Sequence, residues 1–276
     1  MPTKKFNLAA ANDNGPNPDR ELLRAAEGGD LEKVKFWLER GANIDARHTN
    51  NDTPLIIAAR EGHEDVIRHL MTRRKKKADA AMQNNQDESA LHAAVAAGNT
   101  EIAVLLVKLG APAGLKDTGG ATPAWHAAAK GNVELIDALA QGKADLNTAD
   151  NAKTTPLMQA VKTGQLKAAG ALLENRVALD AQDDKGMTAL MYAVLQGANI
   201  LPLAVISLGA DIEIKNAAGQ TALDLARTES QVTLIRCLED RLAALHEERY
   251  GPFHNGTGRR IAPMKPLTLL PPGGKP

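Results

Sequence analysis

Apolar residues along this chain fall into short stripes of helical spacing, and the stripes return at a fixed interval. Ile102, Leu105 and Leu106 share one helix face, and so do Leu166, Leu172 and Leu173. Each of these segments follows a shorter one built on paired small residues, such as Ala58-Ala59, Ala94-Val95 and Ala127-Ala128. The start of the shorter segment is marked six times: Thr53-Pro54-Leu55, Ser89-Ala90-Leu91, Thr122-Pro123-Ala124, Thr155-Pro156-Leu157, Thr188-Ala189-Leu190 and Thr221-Ala222-Leu223. The first step is 36 residues and the other four are 33. A period of this size predicts an all-α stack of helix pairs, each layer hiding its apolar flank against the next.

Residues 117–149 show how one layer is built. Thr122 is placed to cap a helix with its hydroxyl, and Pro123 suits the first helical position because its missing N–H has no partner there anyway. The short helix is expected to end at Gly131 and a second one to run from Asn132 to about Gln141. Glycines recur at that joint: Gly62, Gly98, Gly131, Gly164 and Gly197. A second series, Gly120, Gly186 and Gly219, lies two residues before a Thr and predicts a hairpin turn with a positive φ.

These residues resemble the ankyrin repeat. Asp183-Asp184-Lys185-Gly186-Met187-Thr188-Ala189-Leu190 matches the opening of that family's pattern, Ser89-Ala90-Leu91-His92-Ala93-Ala94 its middle, and Gly209-Ala210-Asp211-Ile212-Glu213 its close. Leu22 to Asp30 and Gly41 to Asp45 continue the register backwards. The resemblance implies an ankyrin-repeat solenoid of about seven helix–turn–helix repeats with hairpin loops over 19–242. The first repeat lacks the Thr-Pro start. The last has Ser230 in place of the joint glycine and a charged end, as capping repeats do. Residues 1–18 read as a disordered leader, and 243–276 as a helix extension followed by a proline-rich basic tail.

Composition narrows the function class. Aromatics are 3% of the chain, and formal charge is zero, with basic flanks around an acidic 19–242. That balance argues against nonspecific DNA binding and against a base-stacking groove. The single cysteine, Cys237, rules out a disulfide within the chain and fits a reducing compartment. No run approaches the roughly 20 apolar residues that span a membrane. A cytoplasmic protein, monomeric and without cofactor, is expected.

Candidate chemistry falls away on inspection. His92 and His63 occupy structural slots of the repeat that the resemblance explains. His246-Glu247-Glu248-Arg249-Tyr250 lacks the second histidine that a zinc-protease helix needs. Gly119-Gly120 and Gly256-Thr257-Gly258 lack the lysine of a phosphate loop. No nucleophile–base pair assembles, so neither catalytic nor metal residues are assigned, and an enzyme is not expected.

Three departures from the period stand out. The 36-residue step places three extra residues beside Arg73-Arg74-Lys75-Lys76-Lys77, read as a second helix lengthened by most of a turn. That run is either a solvated helix end, or a docking site for acidic partners or phosphates, or a nuclear-import signal. Lys143 and Arg176 stand where other repeats have glycine, which predicts a different ending for those helices.

The resemblance also implies where a partner binds: on the concave side, through hairpin tips and exposed first-helix positions. In register these are Asn85, Glu88, Thr118, Ala121, His126, Lys130, Asn151, Thr154, Lys162, Asp184, Lys185, Met187, Tyr192 and Leu195. Met187 and Leu195, with Tyr192 nearby, are the expected apolar anchors. The favoured function is a non-enzymatic protein–protein interaction module, a scaffold, adaptor or inhibitor. The alternative is a bacterial effector delivered into host cells, with the basic tail as export or docking signal.

Overall fold

A computed structural model describes residues 16–197 and 200–250 of the chain, with side chains as far as Glu248. Most of the leader, the joint at 198–199 and the tail 251–276, with its proposed export role, lie outside the described residues. The chain divides into two compact units, Met1–Asp117 and Thr118–Pro276. Fourteen helices and no strand are found among the described residues.

The first unit holds three helix pairs: α1 (Pro18–Glu27) with α2 (Leu31–Glu39), α3 (Pro54–Glu61) with α4 (Glu64–Thr72), and α5 (Ala90–Ala97) with α6 (Thr100–Lys108). The second holds four: α7 (Pro123–Lys130) with α8 (Val133–Gln141), α9 (Pro156–Lys162) with α10 (Leu166–Glu174), α11 (Ala189–Leu195) with α12 (Ile200–Ser207), and α13 (Ala222–Thr228) with α14 (Val232–Tyr250). Within each unit first helices pack on first helices and second helices on second helices, giving two layers. Alanines line the tight first-helix layer: Ala58, Ala59, Ala127, Ala128 and Ala160 are fully buried. Branched side chains fill the space below them, with Ile67, Leu70, Leu106, Ile136, Leu139 and Leu172 at 0% exposure. Small residues permit the close approach, and the larger ones supply the apolar area that stabilises it.

Every first helix from α3 onward is capped as the sequence predicts. Thr53, Ser89, Thr122, Thr155, Thr188 and Thr221 each accept from the backbone N–H three residues on. Ser89 forms a reciprocal box with His92, whose ring lies buried beneath the turn. The first repeat has a cap and proline after all: Asn17 accepts from Asp19 N–H, with Pro18 next, three residues ahead of the register. His63 also plays its structural part, its Nε2 lying 2.8 Å from the Glu27 carbonyl of the preceding repeat.

Two expectations are corrected. The second helix beside the basic run is not lengthened: α4 ends at Thr72 and has nine residues, like α2, α6, α8 and α10. In other repeats the amide that closes the helix end donates five residues back, as Ala111 does to Leu106 and Ala144 to Leu139, both at 2.9 Å. Ala78 donates eight residues back, to Leu70, at the same 2.9 Å. The three extra residues are therefore extruded as loop, because the neighbouring layers set the helix length. Nor do Lys143 and Arg176 end their helices differently: both adopt positive φ, 58° and 53°, as Gly110 and Gly209 do. The turn between layers demands the left-handed conformation whatever residue occupies it.

Candidate functional site

Four of the hairpins between repeats are organised by one side chain five residues before the cap. Asn84, Asp150, Asp183 and Asn216 each turn their Oδ1 back on two amides of their own turn, at 2.8–3.0 Å. This is the local turn chemistry that Asn and Asp favour. The hairpins then stack through their backbones. Asn85 N–H donates to the Asn50 carbonyl in the first unit. In the second, Asn151 donates to Gly119, Asp184 to Ala152 and Ala217 to Lys185, at 2.9–3.1 Å.

A second ladder was not foreseen from the sequence. Arg47, Gln83 and Gln182 sit six residues before their caps. Each bridges a carbonyl of its own turn and one of the next hairpin. Gln182 Nε2, for example, donates to Gly186 O at 2.7 Å and Lys215 O at 2.9 Å. The available signal was a long polar side chain recurring at that one position.

The structure separates the fourteen candidate residues by exposure. Ala121, Thr154 and Met187 are buried, at 5%, 2% and 7%, and drop out of the partner-facing set. Each directly precedes a cap residue, where the extended backbone turns the side chain inward; the Met187 sulfur lies 3.5 Å from Asn216 Nδ2 of the next hairpin. Glu88 is half-buried and accepts from Asn84 Nδ2 at 3.1 Å. Asn85, Thr118, Asn151, Asp184 and Lys185 are exposed at hairpin tips. Asn85 accepts from Asn51 Nδ2 at 2.7 Å, and Asp184 pairs with Lys153 at 3.1 Å. His126 is half-buried and edge-on to Trp125, with ring centroids 5.2 Å apart. Lys130, Lys162 and Leu195 are exposed on the outer side of the first-helix layer.

Two of these residues, Lys162 and Tyr192, meet in the second unit. The Tyr192 hydroxyl donates to Asp183 Oδ2, which fixes the ring against the hairpin. Burial and the Asp183 carboxylate together push the phenol well above its ordinary range. Lys162 Nζ lies 5.1 Å from the centre of that ring, within cation–π reach. Leu195, one turn further along α11, is 43% exposed. The result is an ordered aromatic with a cation over its ring and an open leucine one turn along the same helix; Asp184 and Lys185 directly follow Asp183 at the hairpin tip.

In the first unit the corresponding place is charged. Arg60 grips Asp52 with two hydrogen bonds, 2.8 and 3.1 Å, and Asn84 adds a third at 2.9 Å. Burial raises the Asp52 pKa, but the bonds from Arg60 and Asn84 outweigh it and hold the carboxyl below its usual value. Among the described residues no group of three or more His, Cys, Asp or Glu converges in a way that could hold a metal ion. No described helix is long and apolar enough to cross a membrane.

Such capped helix pairs, stacked hairpins and a two-layer core define a helical repeat protein. The sequence family described as ankyrin repeats in three copies matches residues 22–117 and 104–183, and that described as ankyrin repeats in many copies matches 172–226. The chain belongs to the ankyrin repeat family. Similar curated proteins include neurogenic locus notch homolog protein 1 of Homo sapiens, 34% identical over 113 residues. Another is neurogenic locus notch homolog protein 2 of Homo sapiens, 36% identical over 103 residues. These alignments cover 40% and 37% of this chain and 4% of each relative. The likeness is thus to a small region of each relative. Family membership brings a function class, a protein–protein interaction module of a typically non-enzymatic kind.

Proposed function

We propose that this chain is a monomeric, non-enzymatic scaffold, adaptor or inhibitor of the cytoplasm. It binds another protein through the outer side of its first-helix layer in the second unit. Tyr192 is the anchor, with Leu195 and Lys162 beside it and the hairpin tips Asn151, Asp184 and Lys185 as polar rim. The observation that supports this reading is the Asp183–Tyr192 hydrogen bond, since it holds a large amphipathic ring in one orientation before any partner arrives. A preordered aromatic loses little side-chain entropy on binding, which is why such residues dominate interface energetics.

Site-specific photo-crosslinking tests the assignment. A photoreactive side chain at Leu195 or Lys162 is expected to capture the same partner, and one at Asp137 or Lys167 on the second-helix layer to capture none. Capture of that partner from the second-helix positions alone overturns the reading.

A further inference from the structure

The first unit carries a feature that the partner face does not use. Arg73-Arg74-Lys75-Lys76-Lys77 forms a loop between Thr72, where α4 stops, and Ala78, whose amide closes it on the Leu70 carbonyl. We propose that this extruded loop is a docking site for a short acidic segment, rich in Asp and Glu, of a partner protein.

Four observations carry the inference. First, the loop exists because three residues have been added to one repeat without lengthening its helix, and Arg74 to Lys77 of that run are exposed. Second, one leg is pinned. Lys76 Nζ pairs with Asp45 at 2.9 Å, Asp45 is 8% exposed, and its other oxygen accepts from Asp79 N–H at 2.9 Å. The loop is thus held at its base. Third, no carboxylate among the described residues pairs with Arg73, Arg74, Lys75 or Lys77, and the last three are exposed. The helix dipole does not account for them, since its effect fades within the last turn and they lie beyond it. Fourth, the cationic field is local. Outside this run, residues 16–117 contain more Asp and Glu than Lys and Arg, and Glu32, Glu39, Glu64 and Asp65 are exposed. An extended polyanion, a membrane surface or a nucleic-acid duplex, would meet those carboxylates as well. A short acidic peptide would not, which favours it as the occupant.

Fluorescence anisotropy of the full chain with a labelled octapeptide of alternating Asp and Glu tests the proposal. The wild type is expected to bind at about 20 mM salt and to weaken at about 150 mM, as screened surface charges do. The triple variant Arg74→Gln, Lys75→Gln, Lys77→Gln is expected to bind about tenfold more weakly, with an unchanged melting curve. A comparison variant, Arg259→Gln, Arg260→Gln, Lys265→Gln, removes the other basic run and is expected to bind as the wild type does. His69, on the last turn of α4, gives an independent readout. Burial lowers its pKa first, and the Arg73 charge lowers it further, along with Lys35, against an opposing effect of Glu32. Bound peptide is therefore expected to raise the His69 titration midpoint seen by NMR. Absence of binding, binding lost only in the comparison variant, or a preference for phosphatidylserine vesicles or duplex DNA over the peptide each overturns the proposal.

Discussion

Ala217 donates its amide hydrogen to the Lys185 carbonyl across 2.9 Å, so the last two hairpins of the second unit stack backbone on backbone. The contact leaves no room at Gly186, whose φ is +69°. A Cβ there would lie 2.8 Å from the Ala217 nitrogen and 3.1 Å from the Asn216 carbonyl carbon. Gly219 has the same turn geometry, φ +77°, with nothing within 4 Å of its virtual Cβ. Gly219→Ala is expected to cost about 1 kcal/mol from the left-handed backbone alone. Overpacking adds about 1–3 kcal/mol at Gly186→Ala. Urea melts of the two variants check this; equal losses would mean the hairpins do not stack tightly.

Lys143 and Arg176 carry side chains into the left-handed region where Gly110 and Gly209 serve other repeats. Relieving that strain outweighs the added freedom of the unfolded chain. Lys143→Gly and Arg176→Gly are each expected to stabilise by about 0.5–1 kcal/mol. A lowered Tm in both variants would refute the argument.

Asp52 supplies an acid-sensitive contact. Its folded-state pKa lies below the unfolded value, so its contribution is complete above about pH 4–5. That contribution is lost as pH falls through the folded pKa. Asp52→Asn is expected to flatten the acid limb of the stability curve. Arg60→Ala, which leaves the carboxylate buried without its main partner, is expected to cost about 1–2 kcal/mol at pH 7, discounted for the half-exposed guanidinium. Denaturant melts at pH 3, 5 and 7 decide the point; parallel curves for wild type and Asp52→Asn would remove the carboxylate from the account.

The caps and joint glycines were legible because they act within three or four residues of chain. Thr122 caps α7 through chemistry that needs no other repeat. What the sequence concealed depends on neighbouring layers. Nothing local to Arg73–Lys77 says whether three added residues extend a helix or bulge from it. The answer lies in the Ala78–Leu70 closure. Likewise Lys143 obeys a turn imposed from outside its own segment. The exposure of the candidate positions was half legible. Register placed Tyr192 and Leu195 on an outer face, but counted Met187 with them, because a hairpin position alternates inward and outward one residue at a time.

Partner affinity of the intact chain tests the central claim, that the outer face of the first-helix layer is where this protein binds. Tyr192→Ala with Leu195→Glu is expected to cost at least about 2 kcal/mol, roughly thirtyfold in Kd, by titration calorimetry against the captured partner. Glu134→Lys with Asp137→Lys, on the second-helix layer, is expected to leave Kd unchanged. Full affinity in the first variant and loss in the second would place the binding surface on the opposite side and contradict the account.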